Sequence, residues 1–369
     1  MRQWVTYLCA LVILTSCLSQ RDENHHLTPY YTPKYAESFS ISIDSLNRKI
    51  LTITNPYQSS KPFEEQVYLL EKGQNSPADA TAVKLPAKRV AVLSSSHVAM
   101  LDAVGVADRV VGVSGLRFIT NPKVKSSAVE IGYDSMLDFE TLKAIGTDVI
   151  LLYGLYGEDS ATTAKLKQLG IPYIYIGDYI EPSPLAKAEW VVALAALCGV
   201  RERGIDYFTA LESRYNTLKE VAKSYNSRPK VMLNTPYRDT WFMPSVESYA
   251  VQLISDAGGE YIYPQNSSAE SLPISLEEAL MLASKADVWI NVGQTASLKE
   301  LKKSNPKFAN IPAVLSKRVY NNTKRTTAAG GSDFWESGAV NPDIVLQDMI
   351  RLLHTDCPTD SLYYYKRLE

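Results

Sequence analysis

The stretch KRVAVLSSSHVAMLDAVGVADRVVGV, residues 88–113, contains the pattern that decides the fold. Its apolar run at 88–94 predicts a buried strand, 95–105 predicts a helix that ends at Gly105, and the run from 108 to 115 predicts a second strand. Solidly apolar strands that alternate with helices are typical of a parallel sheet covered by helices on both faces. We therefore predict an α/β domain around this stretch.

The same alternation continues downstream, and a different pattern precedes it. LDFETLKAIG (137–146) and ATTAKLKQLG (161–170) predict helices, and TDVILLYG (147–154) and IPYIYIGD (171–178) predict strands. Between 39 and 73, apolar residues alternate with polar ones, which predicts short antiparallel strands ahead of the parallel sheet.

A second copy of this pattern follows Arg228-Pro229. Strand signals begin at 230, 260, 286 and 318 and alternate with helix signals, the last of them at 341–354. Matching residues recur at offsets of 141 (Arg89 and Lys230), 137 (Glu140 and Glu277) and 139 (Asp148 and Asp287). Two lobes of one design explain this repeat better than one large domain.

The segment 184–224 separates the two copies. It contains no proline after Pro184, has glycine only at Gly199 and Gly204, and shows apolar residues at helical spacing. It predicts one long helix, or a helix pair broken near those glycines. Cys198 lies in its apolar half, and we expect that thiol to be a small buried hydrophobe.

Composition limits the possible functions. The chain has 369 residues, 46% of them hydrophobic and 21% charged, which is a globular balance and corresponds to about two domains. Its formal charge is −2, so it has no overall basic character that would favour nucleic acid. We expect a monomer that does not bind nucleic acid.

The N-terminus predicts export. MRQWVTYLCALVILTSCLSQ has a charged start and an apolar middle too short for a comfortable permanent span, as in secretory signals. Leu14-Thr15-Ser16-Cys17 resembles the bacterial lipobox, in which the cysteine is lipidated. The predicted organisation is a signal (1–17), a flexible tether (18–37), an N-terminal lobe (38–183), a bridging helix (184–224), a C-terminal lobe (225–356) and a tail (357–369).

Four ordered segments carry a family resemblance: 88–113, IGYDSMLDFETLKAIGTDVILLYG (131–154), ISLEEALMLASKADVWI (274–290) and IPAVLSKRVY (311–320). They resemble the substrate-binding proteins of bacterial ABC importers for iron–siderophore complexes, haem and vitamin B12. The resemblance spans about residues 39–355. It implies two Rossmann-like lobes joined by one rigid helix, limited lobe movement, and a ligand between the lobes that is delivered to the permease and its ATPase.

The resemblance also implies a docking role for one acidic residue on each lobe. The matching positions are Glu140 and Glu277, which would meet arginines of the permease. Contacts between carboxylates and guanidinium groups are directional and sensitive to salt, which suits reversible docking. In the second lobe Glu278 is adjacent to Glu277.

Ligands of open parallel sheets bind beyond the carboxyl ends of the strands. The side chains predicted there are largely aromatic or cationic, as a bulky flat or anionic ligand requires. The predicted ligand-binding residues are Ser95, His97, Arg117, Tyr133, Tyr153, Tyr156, Tyr237, Arg238, Trp241, Arg325 and Trp335. Trp335, in a glycine-rich polar loop, is the strongest of them. For Trp241 a place in the core is an equal alternative, and His97 is expected mainly to cap or pack against a helix.

Other functions remain as alternatives. The chain lacks a G-x-S-x-G elbow, an H-E-x-x-H motif and a phosphate-binding glycine loop, so we do not predict an enzyme or a cofactor. A free-metal (zinc or manganese) binding protein would need several His, Asp or Glu ligands, but the predicted lobes hold only His97 and His354. Among chelates, Arg117, Arg238 and Arg325 favour an anionic iron–siderophore, and cobalamin or haem is the alternative ligand.

Overall fold

The computed structural model describes residues 27–56, 62–133, 136–154, 160–268, 270–354 and 359–369. The predicted signal, Cys17 and Tyr156 lie outside these residues. Within them, the chain forms two lobes with parallel sheets, preceded by antiparallel strands, as predicted.

The N-terminal strands form a five-stranded sheet in sequence order. The first four strands pair antiparallel and the last pairs parallel with its neighbour. They are β1 (Thr28–Tyr31), β2 (Phe39–Ile43), β3 (Lys49–Thr54), β4 (Glu64–Leu70) and β5 (Thr81–Lys84).

The N-terminal lobe is built on a parallel sheet with the strand order β12-β11-β6-β7-β8. Its central strands are fully buried, as their apolar sequences predict. Its elements are β6 (Val90–Val92), α1 (Ser95–Ala103), β7 (Val110–Val113), α2 (Pro122–Ser127), β8 (Val129–Glu130), the hairpin β9 (Gly132–Tyr133) and β10 (Met136–Leu137), α3 (Phe139–Ala144), β11 (Val149–Leu152), α4 (Ser160–Leu169) and β12 (Tyr173–Tyr175).

Two helices connect the lobes, α5 (Pro184–Leu197) and α6 (Arg201–Lys223). The chain breaks at Gly199, whose φ of +68° is left-handed and favours glycine. Gly204 lets the helices approach closely, since a Cβ there would lie 2.7 Å from the Cβ of Ala195. A single continuous helix over 184–224 is therefore wrong, and the pair broken at Gly199 is what the chain forms.

The two helices have different roles. Helix α5 is buried except at Lys187 and contacts α1 of the first lobe, and the free Cys198 that follows it is buried too. Helix α6 is amphipathic and, at 1.5 Å per residue, about 34 Å long. It contacts the first lobe where Arg203 meets the Val104 carbonyl, and the second where the Tyr215 hydroxyl donates to Asp256 (2.7 Å). Helix α6 therefore also contacts both lobes.

The C-terminal lobe has the strand order β15-β13-β17-β18-β19, in which β15-β13-β17-β18 repeat β7-β6-β11-β12 of the first lobe and β19 is an added antiparallel strand. Helix α5 also contacts its helices α7 and α11. The elements are β13 (Lys230–Leu233), the ribbon strands β14 (Thr240–Met243) and β16 (Leu272–Ser275), α7 (Tyr249–Asp256), β15 (Glu260–Tyr261), α8 (Leu276–Ala283), β17 (Val288–Ile290), α9 (Leu298–Ser304), α10 (Pro312–Leu315), β18 (Val319–Asn321), α11 (Pro342–His354) and β19 (Lys366–Arg367).

The predictions of a C-terminal tail (357–369) and an N-terminal flexible tether (18–37) are both wrong in part. Residues 359–369, expected as a tail, include β19, which pairs antiparallel with β18. The buried Asp348 carboxylate accepts the backbone N–H groups of Tyr363, Tyr364 and Tyr365 and fixes this segment. The rings of Tyr364 and Tyr365 are buried in the core, which explains why the end of the chain is ordered.

The predicted tether likewise joins the lobe from residue 28 onward. Glu189 of α5 is buried and accepts the hydroxyl of Tyr31 and the backbone N–H groups of Lys34, Tyr35 and Ala36 at 2.7–2.8 Å. These charge-assisted bonds satisfy a carboxylate that burial would otherwise destabilise. Residues 28–37 are therefore part of the folded body and not a flexible spacer.

Candidate functional site

A cavity of about 520 Å³ lies between the two lobes. Its N-terminal wall follows the carboxyl ends of β11 and β12, its C-terminal wall follows β14 and includes the start of α7, and Lys187 of α5 lies at its base. The volume is typical of small-molecule sites, and the position beyond the strand ends is the one predicted. The lining residues are Tyr153, Tyr179, Ile180, Glu181, Pro182, Lys187, Pro244, Ser245, Glu247, Ser248, Tyr249, Ala250, Phe334, Trp335 and Ala339.

Aromatic rings face this cavity from both lobes. The rings of Tyr153 and Tyr179 lie 4.6 Å apart, and the Tyr179 hydroxyl donates to the Gly154 carbonyl (2.8 Å). Across the cavity, Trp335 packs edge-on against buried Phe334 at 4.7 Å and is 56% exposed. A large exposed ring on a buried ring is pre-positioned to stack on a ligand.

A buried charge cluster lies behind the cavity floor. The Lys187 Nζ is 3.0 Å from Asp178 Oδ2, and the His97 Nε2 is 3.5 Å from Asp178 Oδ1. Burial acts to raise the pKa of Asp178, but the charge of Lys187 and the contact with His97 outweigh it and hold that pKa well below its usual range. Asp178 is therefore ionised and paired, and His97 packs beneath the cavity without lining it.

The charged side chains of the lining are few, and Glu181 is held by hydrogen bonds. Glu181 is buried and accepts the Trp190 indole N–H (2.9 Å) and the backbone N–H groups of Glu37 and Ser38. Burial raises its pKa against these hydrogen bonds. No arginine lines the cavity among the described residues. The described wall thus presents five aromatic rings, one cation (Lys187) and two carboxylates (Glu181 and Glu247).

The predicted ligand residues fall into several groups. Tyr153 and Trp335 line the cavity, whereas Ser95 lies in the first turn of α1, outside the lining. Arg325 binds Asp333 (2.5 Å) and lines a separate cavity. Four further residues are exposed and lie outside the lining: Arg117, Tyr133, Tyr237 and Arg238.

Trp241 requires a correction. Its ring is fully buried, packs on Trp289 (5.7 Å) and Phe308 (5.2 Å), and donates its indole N–H to the Leu233 carbonyl. Alternation along β14 places Trp241 inward and Phe242 outward. Trp241 is thus a core residue, and the equal alternative from the sequence is the one the structure supports.

Sequence reasoning did not assign Lys187, Glu247, Tyr249 or Phe334 to the site. A signal existed for Lys187, because it is one of only two charged residues in the apolar helix α5, the other being Glu189. The other three follow irregular segments whose direction the sequence pattern does not give.

Glu140 and Glu277 occupy equivalent places in the two lobes. Each lies in the first turn of a helix that follows a short antiparallel strand pair, α3 after β9 and β10, and α8 after β14 and β16. The helix starts are capped by Asp138 and Ser275. Both glutamates are exposed, and the Glu277 carboxylate lies 3.6 Å from Lys307.

Comparison with known proteins identifies the class. The family model for periplasmic binding proteins matches residues 90–326, so the chain belongs to that family. One relative is an uncharacterized lipoprotein of Methanocaldococcus jannaschii, 26% identical over 95% of this chain and 92% of that protein.

Solved structures show the same two-lobe fold. A periplasmic haem-binding protein from Pseudomonas aeruginosa superposes with a TM-score of 0.59 at 15% identity, covering 77% of this chain and 98% of that one. A siderophore-binding protein from Vibrio cholerae with Fe3+-Desferal bound gives a TM-score of 0.55 at 20% identity, covering 72% and 99%. The family and the fold are those of solute-binding proteins, not of enzymes.

No described helix has the length and apolar character needed to cross a membrane. No group of three or more His, Cys, Asp and Glu side chains within the described ranges could hold a metal ion.

Proposed function

We propose that this protein is the solute-binding component of an ABC importer that captures a bulky metal chelate, an iron–siderophore above all, between its lobes. The observation that carries the proposal is the aromatic cavity of about 520 Å³, to which both lobes contribute walls. Rings supply apolar contact area at low entropic cost, and a chelate held by two lobes can be handed to a permease that contacts both.

The lining favours a chelate of low net charge. A catecholate siderophore carries several negative charges and would need a cationic wall, but Arg117, Arg238 and Arg325 lie outside the described lining. Hydroxamate complexes, whose net charge is small, suit rings and a single ammonium group better. We therefore propose a ferric hydroxamate ahead of a catecholate. Haem and cobalamin, which also present large apolar surfaces, are the alternative ligands.

A binding panel tests this proposal. The lipid-free mature chain is titrated with ferric hydroxamate, ferric catecholate, haem, cobalamin and free Zn²⁺ or Mn²⁺, while tryptophan fluorescence is recorded. Trp335 is the exposed tryptophan of the described chain, and Trp190, Trp241 and Trp289 are buried, so quenching by a bound chelate reports on the cavity. We expect saturable quenching by the hydroxamate complex. Binding of free metal alone, or of no chelate, would overturn the proposal.

We further propose that Cys17 carries lipid and that the protein works as an anchored exported lipoprotein. The lipobox pattern and the lipoprotein name of the relative support this. Mass spectrometry of the N-terminal peptide should show an acylated Cys17, and Cys17→Ala should release the protein from membranes. An unmodified Cys17 in membrane-bound protein would contradict the anchor.

A further inference from the structure

The loop that carries Trp335 into the cavity also grips the opposite lobe. Glu336 is 2% exposed, and its two carboxylate oxygens accept the backbone N–H groups of Thr120 and Asn121, each at 2.7 Å. Thr120 and Asn121 belong to the N-terminal lobe, immediately ahead of α2. One carboxylate of the C-terminal lobe therefore pairs with two donors of the other lobe.

Neighbouring contacts reinforce this junction. The Thr120 hydroxyl donates to Asp333 Oδ1 (3.1 Å), and Asp333 Oδ2 accepts from Arg325 Nε. Gly331 lies so close to the first lobe that a Cβ there would be 1.8 Å from the Phe118 carbonyl oxygen. The backbone of the two lobes is thus in direct contact at 118–121 and 331–336.

The junction and the cavity share adjacent residues. Trp335 lines the cavity, and Glu336, the next residue, holds the other lobe. Burial raises the pKa of Glu336 against the effect of its hydrogen bonds, so the carboxylate is retained there at a desolvation cost. Hydrogen bonds to a charged group are strong and directional, which suits a contact that fixes a distance.

We propose that Glu336 is a positioning residue that sets the gap between the lobes and thereby holds Trp335 against the ligand. This inference rests on the proposed function for the identity of the ligand. The contact between the lobes does not depend on a ligand. Glu336 holds the cavity at binding width, so its loss lets the lobes separate and the ligand leave faster.

The variants are Glu336→Ala, which removes both acceptors, and Glu336→Gln, which keeps one oxygen. The matched control is Asp148→Ala. Asp148 also accepts two backbone N–H groups, those of Lys88 and Arg89 at 2.8 and 2.9 Å, but within one lobe and at the amino ends of the strands. Thermal unfolding confirms that each variant is folded.

The first readout needs no ligand. Spin labels at Lys125→Cys and Lys299→Cys, in lipid-free protein that carries Cys17→Ser and Cys357→Ser, report the distance between the lobes by electron resonance. Cys198 is buried with its pKa raised to about 11, so it stays unlabelled. We expect a longer, broader distance distribution and stronger acrylamide quenching of Trp335 in Glu336→Ala, an intermediate result in Glu336→Gln, and no change in Asp148→Ala.

The second readout is ligand dissociation. We expect Glu336→Ala, which removes both charge-assisted hydrogen bonds, to raise the dissociation rate about tenfold or more, with the association rate little changed. An unchanged lobe distance and dissociation rate in a variant that binds would overturn the proposal. If wild-type protein binds no chelate, the proposed function fails, and the lobe distance still decides the role of Glu336. If Glu336→Ala does not fold, Glu336→Gln decides it in the same way.

Discussion

In the N-terminal lobe, Asp148 precedes β11 and accepts the backbone N–H groups of Lys88 and Arg89, just ahead of β6. In the C-terminal lobe, Asp287 precedes β17 and accepts the backbone N–H of Lys230 in β13. The repeat found in the sequence is therefore a repeat of hydrogen bonds. It lies at the amino ends of the strands, away from the cavity.

At the carboxyl ends the lobes differ. Next to Lys187 of the lining the first lobe buries Asp178 and His97, whereas the second lobe buries a cluster of rings, Trp241, Trp289 and Phe308. The loop that bears Trp335 and Glu336 belongs to the second lobe alone. The scaffold is thus shared, and each lobe contributes different chemistry to the cavity.

The first prediction, which has the largest expected effect, asks whether both lobes contribute equally to docking on the permease. Replacing both Glu140 and Glu277 with Ala should abolish uptake by cells while leaving affinity in solution unchanged, because both side chains are exposed and outside the cavity lining. The measurements are transport of labelled chelate and fluorescence titration. Glu220→Ala, on the exposed face of α6, is the control. Lost affinity in the double variant would contradict a docking role. The uptake that each single variant loses measures how much its lobe contributes to docking.

The second prediction concerns the buried charges of the first lobe. Asp178→Ala leaves Lys187 without its partner, and breaking a buried ion pair in this way costs about 3–5 kcal/mol of unfolding free energy. Since the folded-state pKa of Asp178 lies below its unfolded value, its contribution is present above the unfolded pKa and is lost as pH falls through the folded pKa. Urea unfolding at several pH values should therefore show the gap between wild type and variant closing in acid.

The second lobe supplies the control for that experiment. Phe308→Leu removes three carbons and the ring contacts with Trp241 and Trp289, so it should cost about 2 kcal/mol. The cost should be the same at every pH, because no titratable group is involved. A pH-independent loss for Asp178→Ala would show that its charge is not what stabilises the lobe.

The third prediction concerns Trp335, the exposed ring that the second lobe contributes to the cavity. Trp335→Ala should weaken chelate binding by on the order of 1–3 kcal/mol if the ring stacks on the ligand. Fluorescence is lost with the ring, so calorimetry is the measurement. Phe242→Ala removes a ring that is 45% exposed and lies outside the lining, and should leave affinity unchanged. Equal affinities for both variants would place Trp335 outside the site.

Sequence reasoning recovered the sheets because their signals are local. Apolar strands and the Asp148 and Asp287 repeat are visible in short windows. Trp335 was predicted because a large ring in a Gly-rich loop has no core to enter. Glu336 was not, because its partners are backbone N–H groups 215 and 216 residues away, which carry no side-chain signature.

The wrong predictions also arise from contacts between residues that are far apart in the sequence. The tether was predicted to be flexible because its own composition is polar, but its order comes from Glu189, a buried acid more than 150 residues away. The tail was misjudged because Asp348 supplies the contacts. The role of Arg325 at the ligand stays a prediction: the sequence shows a charge after a strand end, whereas its pairing with Asp333 depends on the fold of the loop.

The smallest expected effect measures how similar the two halves of the scaffold are. Asp148 accepts two backbone N–H groups and Asp287 accepts one, and both side chains are exposed. At roughly 0.5–1 kcal/mol for each exposed hydrogen bond, Asp148→Ala should lower the free energy of unfolding about twice as much as Asp287→Ala. Denaturant unfolding measures both variants, and neither should change chelate affinity, because the amino ends of the strands are remote from the cavity. Equal losses would mean that the second N–H bond of Asp148 adds nothing, and a change in affinity would mean that the strand ends are coupled to the cavity across the sheet.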